Sequence, residues 1–178
     1  MSVTEYAIGR HCGVTFAGLK IASLVNLPKG DEDVLTMLAR RFASKGFLFE
    51  LLRESDVRSL VYVCHQMRLE QYLTRPEVKN FLSSFGYEYA TAADALEQLK
   101  DRMSGEFPHE IGIFLGYPLC DVRGFLRDPD GCILCGEWKV YANADEAVRT
   151  FERFRRCNAC ICRHMDRGRT LSQIFNVT

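Results

Sequence analysis

The chain has 178 residues, of which 47% are hydrophobic and 26% are charged, and these proportions are typical of globular proteins rather than disordered ones. Lysine plus arginine and aspartate plus glutamate each total 23, so no net charge attracts nucleic acid or an anionic membrane. No apolar run reaches the roughly 18 residues that a transmembrane helix needs. The length suits one domain, and we predict a single globular domain over residues 1–178.

The first residues bear on the compartment in which the protein works. The segment MSVTEYAIGRHCG lacks the basic region and the long apolar region of a secretory signal peptide. We therefore predict a cytoplasmic protein whose eight cysteines are thiols or metal ligands rather than disulfides.

The N-terminal segment is predicted to form a helix followed by a strand. Ser2 and Glu5 have the spacing of a capping box, which predicts a helix from Val3 to about His11. Residues 12–27 are apolar and contain β-branched side chains and two glycines, which favours a buried strand.

An amphipathic helix and a strand pair are predicted next. Asp31 is placed to cap a helix that ends near Gly46. Residues 47–52 and 57–63 flank a polar turn and predict two adjacent strands.

Helices dominate the rest of the chain outside residues 107–141. Helical periodicity and end signals predict helices over about 76–85, 92–104 and 144–167, with a last short helix after Thr170. Strands and helices alternate irregularly, so the predicted fold class is α+β, with a mixed β-sheet covered by several α-helices.

Residues 107–141 concentrate aromatic, glycine and reactive polar residues. We predict a buried strand over 110–115, a Gly-Tyr-Pro corner, a short helix after Pro118, a tight turn and a return strand at 138–141. Trp138 is expected to be largely buried in that return strand.

Several segments resemble an uncharacterised bacterial family catalogued as domain of unknown function 3793. The matching residues are TFAGLK (15–20), HEIG (109–112), FLGYP (114–118), WKVY (138–141), Cys12, Asp121, Val122, Gly124, Phe125, Cys157, Gly168 and Leu171. The resemblance spans nearly the whole chain, and it implies no activity, cofactor or catalytic residue.

The main functional hypothesis is a small-molecule pocket for an anionic ligand. The candidate ligand-binding residues are Lys20, His109, Glu110, Tyr117, Asp121, Lys139 and Tyr141. Backbone N–H groups at a helix start favour an anion, and two lysines near the Tyr117–Pro118 corner would add positive charge. In the alternative reading these residues have structural roles, with Asp121 paired to Arg123 or Lys139.

A metal-binding or redox protein is a competing hypothesis. Cys132 and Cys135, like Cys157 and Cys160, have the Cys-x-x-Cys spacing of zinc ligands. The second pair falls inside a predicted helix, so we predict no bound metal. The other cysteines considered, Cys12, Cys64 and Cys120, are predicted to be core thiols.

A third hypothesis is a non-catalytic interaction module that uses the arginine-rich C-terminal helix. Seven arginines lie between Arg149 and Arg169, against only Glu152 and Asp166. Such a run is commonly a solvated face, and aromatic residues do not interleave with it, so nucleic-acid binding is not favoured. The sequence leaves the cofactor, any enzymatic activity and the oligomeric state open.

Overall fold

The computed structural model describes all 178 residues as nine α-helices and five β-strands. In chain order these are α1 (Val3–Phe16), β1 (Ala22–Pro28), α2 (Glu32–Ala43), β2 (Phe47–Glu54), β3 (Arg58–His65), α3 (Gln66–Leu73), α4 (Pro76–Ser83), α5 (Ala92–Arg102), α6 (Ile111–Phe114), α7 (Leu119–Arg127), β4 (Leu134–Cys135), β5 (Lys139–Val140), α8 (Ala144–Asp166) and α9 (Leu171–Phe175). The α+β class predicted from the sequence is confirmed. No helix is long and apolar enough to cross a membrane.

The main sheet has the strand order β1-β3-β2, and both of its pairings are antiparallel. The predicted hairpin is therefore present as β2 and β3. A mixed sheet was predicted, but β1 and β2, which run in the same direction, lie on opposite sides of β3 and do not pair. Strands β4 and β5 form a separate two-stranded antiparallel ribbon.

Alternate residues of the central strand β3 enter two different cores. Tyr62 and Cys64 belong to a cluster that includes side chains of α3 to α7. Val61 and Val63 belong to a second cluster formed with α1, α2, α8 and α9. Because successive side chains of a strand point to opposite faces, one short sheet separates and anchors both helical layers.

Helix α1 extends five residues beyond the predicted end at His11, so the predicted strand over 12–27 is wrong for its first part. The glycines that suggested a break serve close packing instead. A Cβ added to Gly9 would lie 2.3 Å from Met165 Sδ, and one on Gly13 would lie 2.8 Å from Ile161 Cδ1. Glycine thus lets α1 approach α8 closely, and this contact keeps the segment helical.

The predicted strand over 110–115 is also wrong, because residues 111–114 form the helical turn α6. The apolar run is short, and periodicity alone does not distinguish a buried strand from a buried helical turn. The Gly-Tyr-Pro corner and the helix after Pro118 are present, and the return strand is the short β5. Gly116 has a φ of +76°, which favours glycine at this corner.

Candidate functional site

Residues between 107 and 139, together with Leu24 of β1, line an open cavity of about 280 Å³, here called the aromatic pocket. Four aromatic residues form part of its wall: Phe107, Tyr117, Phe125 and Trp138. The rest of the wall consists of five residues without polar side chains: Leu24, Ile111, Gly112, Leu115 and Val122. The polar lining residues are His109, Asp121 and Lys139. Four of the seven ligand-binding residues predicted from the sequence, namely His109, Tyr117, Asp121 and Lys139, therefore line one cavity.

The α6 turn explains why His109 and Tyr117 share this cavity. On a strand they would lie at opposite ends, since each strand residue advances the chain by about 3.3 Å. A helical residue advances it by only about 1.5 Å. The tertiary structure thus brings together two residues that the predicted strand would have separated.

Tyr117 lies at the centre of the wall. Its ring stacks on Trp138, with centroids 5.1 Å apart and an interplanar angle of 28°. Its hydroxyl donates to the Glu137 carbonyl oxygen at 3.3 Å, and its own carbonyl accepts from the Tyr72 hydroxyl at 2.6 Å. Burial, followed by the nearby Glu137 carboxylate, raises the pKa of Tyr117 to about 12, so its phenol is neutral at neutral pH.

Asp121, which is only 3% exposed, joins helix α7 to Trp138 and to the segment between β5 and α8. Its Oδ2 accepts from Trp138 Nε1 at 2.8 Å. Its Oδ1 accepts from the backbone N–H groups of Tyr141 and Ala142 at 2.7 and 3.2 Å. The carboxylate therefore has protein donors on both oxygens and holds Trp138 in the pocket wall, and it pairs with neither Arg123 nor Lys139.

Trp138 is half-buried rather than largely buried as expected. Its ring packs edge-on against Phe151, with centroids 4.6 Å apart, and stacks on Tyr117 as described above. The remaining exposure is consistent with its position in the wall of a cavity.

Lys139 and Tyr141 both hold the turn that follows α7. Lys139 Nζ donates to the Pro129 carbonyl oxygen at 2.6 Å and lies 3.7 Å from Asp130 Oδ1. The Tyr141 hydroxyl donates to the Asp128 carbonyl oxygen at 2.8 Å, with the Pro129 oxygen at 3.1 Å. Lys139 nevertheless lines the aromatic pocket, whereas Tyr141 does not.

His109 and Glu110 are neighbours in the chain but occupy different environments. His109 is exposed, and its ring lies edge-on to Phe125 with centroids 5.2 Å apart. Glu110 is buried away from the pocket, where it accepts from the Tyr87 hydroxyl at 3.1 Å and lies 3.7 Å from Arg102. Glu110 therefore has a structural position in the core.

Lys20 lies beside Tyr117 but outside the aromatic pocket. Its Nζ is 5.3 Å from the centroid of the Tyr117 ring, and it takes part in none of the four salt bridges of the chain. It lines a neighbouring depression of about 430 Å³ with Arg68 and Arg75. Lys20 and Lys139 thus line different depressions, although the sequence suggested a shared one.

Sequence reasoning missed the apolar half of the pocket. Phe125 follows Asp121 by four residues and so lies on the same face of α7, a spacing that could have identified it. Leu24 comes from β1, and no local signal connects it to the residues around 107–139. Phe107 is 44% exposed, which is unusual for phenylalanine and places an aromatic ring at the edge of the cavity.

The two cysteine pairs lie in different settings. Cys132 and Cys135 precede and end the short strand β4, whereas Cys157 and Cys160 lie on α8. No group of three or more His, Cys, Asp or Glu side chains is placed to hold a metal ion. Cys12 and Cys64 are buried as predicted, but Cys120 is exposed, so its assignment to the core is wrong.

The seven arginines from Arg149 to Arg169 are all exposed, and none takes part in a salt bridge. Helix α8 packs against α1 through its opposite face, where Phe154, Ile161 and Met165 are buried. Five of the arginines, from Arg149 to Arg163, thus form the solvated face of the amphipathic helix α8, and Arg167 and Arg169 follow its end.

Comparison with known proteins gives a family but no activity. The family model described as Protein of unknown function (DUF3793) matches residues 8–175, a range that contains the whole aromatic pocket. No curated protein and no solved structure matches the chain.

Proposed function

Since the chain belongs to the family Protein of unknown function (DUF3793), we propose its function from its own residues: it binds a small molecule in the aromatic pocket. The ligand has an apolar body that enters the cavity and an anionic group that stays at its polar edge. This proposal concerns binding and includes no reaction.

The apolar cavity is the observation that carries the proposal. Protein interiors are close-packed, and small-molecule sites are mostly apolar concavities with a few polar groups. A cavity of about 150 Å³ accepts benzene. The aromatic pocket, at about 280 Å³, has room for a larger body such as two fused rings or a short acyl chain.

The polar edge favours an anion over a cation. Both oxygens of Asp121 already accept hydrogen bonds from the protein. The other polar lining residues are His109 and Lys139, and both can donate a hydrogen bond to a carboxylate or phosphate. Lys139 is also a positive charge whose salt-bridge partner, Asp130, is 99% exposed and therefore interacts weakly with it.

A thermal-shift screen with bicyclic aromatic carboxylates and their neutral amides tests this proposal. A ligand at about 100 times its Kd stabilises the folded chain by about 2.7 kcal/mol. For a chain of this size each kcal/mol raises Tm by about 2–4 °C. We expect at least one carboxylate to raise Tm in this way, and a flat response across the panel would contradict the proposal.

A pocket-filling substitution locates the binding. Leu24→Phe adds volume inside the cavity and is expected to remove the thermal shift. Leu51→Phe is the matched control, because Leu51 is an exposed sheet residue that does not line the pocket. An unchanged thermal shift in Leu24→Phe would show that the ligand binds elsewhere.

A second pair of variants tests the anionic group. Lys139→Met should abolish the preference for carboxylates over amides while the amides still bind. Lys29→Met is the control, because Lys29 lies in the turn after β1, does not line the pocket and pairs with Glu54 at 3.3 Å. If Lys139→Met keeps the carboxylate preference, Lys139 does not contact the ligand.

We also propose that the binding takes place in the bacterial cytoplasm. In support of this, all eight cysteines are free thiols, which suits a reducing compartment. Fractionation of cells that make the chain at its natural level tests this, and recovery in an exported fraction would contradict it.

A further inference from the structure

Cys132 and Cys135 face each other at the end of the β4–β5 ribbon. Their sulfur atoms are 3.1 Å apart, within hydrogen-bonding distance. Two backbone hydrogen bonds hold the segment in place: Ile133 N–H donates to Val140 O at 2.9 Å, and Gly136 N–H donates to Trp138 O at 3.1 Å. The two thiols are thus brought together by the ribbon itself and need only a small movement to bond.

Both sulfurs are within reach of small molecules. Cys135 is exposed and Cys132 is partly exposed. No other two cysteine sulfurs of the chain are joined by a hydrogen bond, and Cys12 and Cys64 are buried. The hydrogen bond with Cys135 raises the pKa of Cys132.

We propose that Cys132 and Cys135 form a redox-active dithiol that is oxidised to an intramolecular disulfide by exchange with small-molecule disulfides. The dithiol lies outside the aromatic pocket, because neither cysteine lines it, and this proposal does not rest on the proposed ligand binding.

The exchange takes place in two balanced steps. Cys135 loses its proton, and its thiolate attacks one sulfur of R–S–S–R, which forms a mixed disulfide and releases one thiolate RS⁻. Cys132 then loses its proton and attacks Cys135 Sγ, which forms the Cys132–Cys135 bond and releases the second RS⁻. Two electrons pass from the protein to the small disulfide, and the two protons convert both RS⁻ ions to RSH.

The chain contains its own control for this proposal. Cys157 and Cys160 have the same sequence spacing, but they lie on helix α8 and no hydrogen bond joins their sulfurs. Spacing alone would make the two pairs equivalent. Only the ribbon places two sulfurs close enough to form a disulfide after a small movement.

Folded protein equilibrated in buffers of graded reduced-to-oxidised glutathione ratio tests the difference. After acid quenching and alkylation, trypsin cleavage separates residues 128–139 from residues 157–163, so the two pairs are read in different peptides, the second of which also contains Cys162. We expect peptide 128–139 to lose two hydrogen atoms and resist alkylation. The Cys157–Cys160 pair should require a buffer about tenfold more oxidising.

Variants identify the attacking sulfur. Cys132→Ser should accumulate glutathione on Cys135, because the second step is blocked. The double variant Cys157→Ser, Cys160→Ser should leave the oxidation of peptide 128–139 unchanged at every glutathione ratio. Three results would overturn the proposal: a glutathione adduct that persists on Cys135 in the parent protein, oxidation of both peptides at the same ratio, or no adduct on Cys135 in Cys132→Ser.

Discussion

Two charged side chains around the Tyr117–Trp138 stack differ in how the fold accommodates them. Asp121 is buried and accepts hydrogen bonds on both oxygens. Lys20 lies beside the same stack and has no salt-bridge partner. Lys20 is partly buried, and a charge withdrawn from water is costly unless it is paired or hydrogen-bonded. Substitutions at these two sites should therefore have opposite effects on stability.

Asp121→Asn should destabilise the protein by about 2–4 kcal/mol. An amide in place of the carboxylate turns one acceptor into a donor, so Trp138 Nε1 or the backbone donors at Tyr141 and Ala142 lose a partner. Urea denaturation measures the change, and Trp138 fluorescence reports the disturbed wall. Asp130→Asn is the control, expected within about 0.5 kcal/mol of the parent because Asp130 is exposed. Equal stability of Asp121→Asn and the parent would show that these hydrogen bonds contribute little.

Lys20→Met should show a stability difference that depends on pH. Burial lowers the pKa of Lys20 below its unfolded value of about 10.4. Between the folded and the unfolded pKa of Lys20, the unfolded chain binds more protons than the folded chain. The contribution of Lys20 to the parent's free energy of unfolding therefore rises with pH in this window. Below that window Lys20 is charged in both states, and the full cost of its partly desolvated charge is present.

The stability of Lys20→Met relative to the parent should therefore be greatest near neutral pH and decline as the pH approaches about 10.4. Urea denaturation of both proteins at a series of pH values measures this decline. A difference that is constant over the series would mean that Lys20 is charged and well solvated in the folded state.

At the scale of elements, glycines permit close contacts between segments that are distant in the sequence. Gly9 and Gly13 do so between α1 and α8, and Gly124 does so between α7 and the residue after β5. A Cβ on Gly124 would lie 2.2 Å from Tyr141 Cγ. The small ribbon therefore packs directly on the backbone of α7, and this contact positions Trp138 and Lys139 at the pocket.

Gly124→Ala should destabilise the protein by about 1–3 kcal/mol through this overlap. Helix propensity alone predicts the opposite sign, since alanine is favoured over glycine by about 1 kcal/mol inside a helix. Thermal unfolding monitored by circular dichroism measures the net effect. Gly105→Ala is the control, because its Cβ would meet no atom closer than 3.7 Å. A stabilised Gly124→Ala would show that α7 and the ribbon separate at low cost.

At the scale of the whole molecule, the three-stranded sheet contributes side chains to both helical layers. Loss of either layer would expose one face of the sheet to water. We therefore propose that residues 1–178 form one cooperative domain, as the length of the chain suggested.

Unfolding should then be a single transition. Far-UV circular dichroism follows all nine helices, whereas fluorescence follows the single tryptophan, Trp138, in the ribbon. The two probes should give coincident urea curves. Separate midpoints would show that the ribbon and its pocket wall unfold independently of the main sheet.

The sequence alone determined the features that neighbouring residues encode. Amphipathic periodicity identified α2 and α8, capping boxes identified α5 and α9, and the polar turn identified the β2–β3 hairpin. The Tyr117–Pro118 corner and the helix after it were also identified, because glycine and proline restrict the backbone locally. Six of the seven predicted site residues came from residues 107–141, and four of the seven line the aromatic pocket.

Only the tertiary structure decided the rest, because those features depend on contacts between distant segments. Packing against α8 continues α1 through Gly13, and burial between the sheet and α7 makes residues 111–114 a helical turn. The pocket needs Leu24 from β1, and the dithiol needs the ribbon that sets the two sulfurs 3.1 Å apart. Sequence spacing could not distinguish Cys132 and Cys135 from Cys157 and Cys160, since only the fold places one pair on a ribbon and the other on a helix.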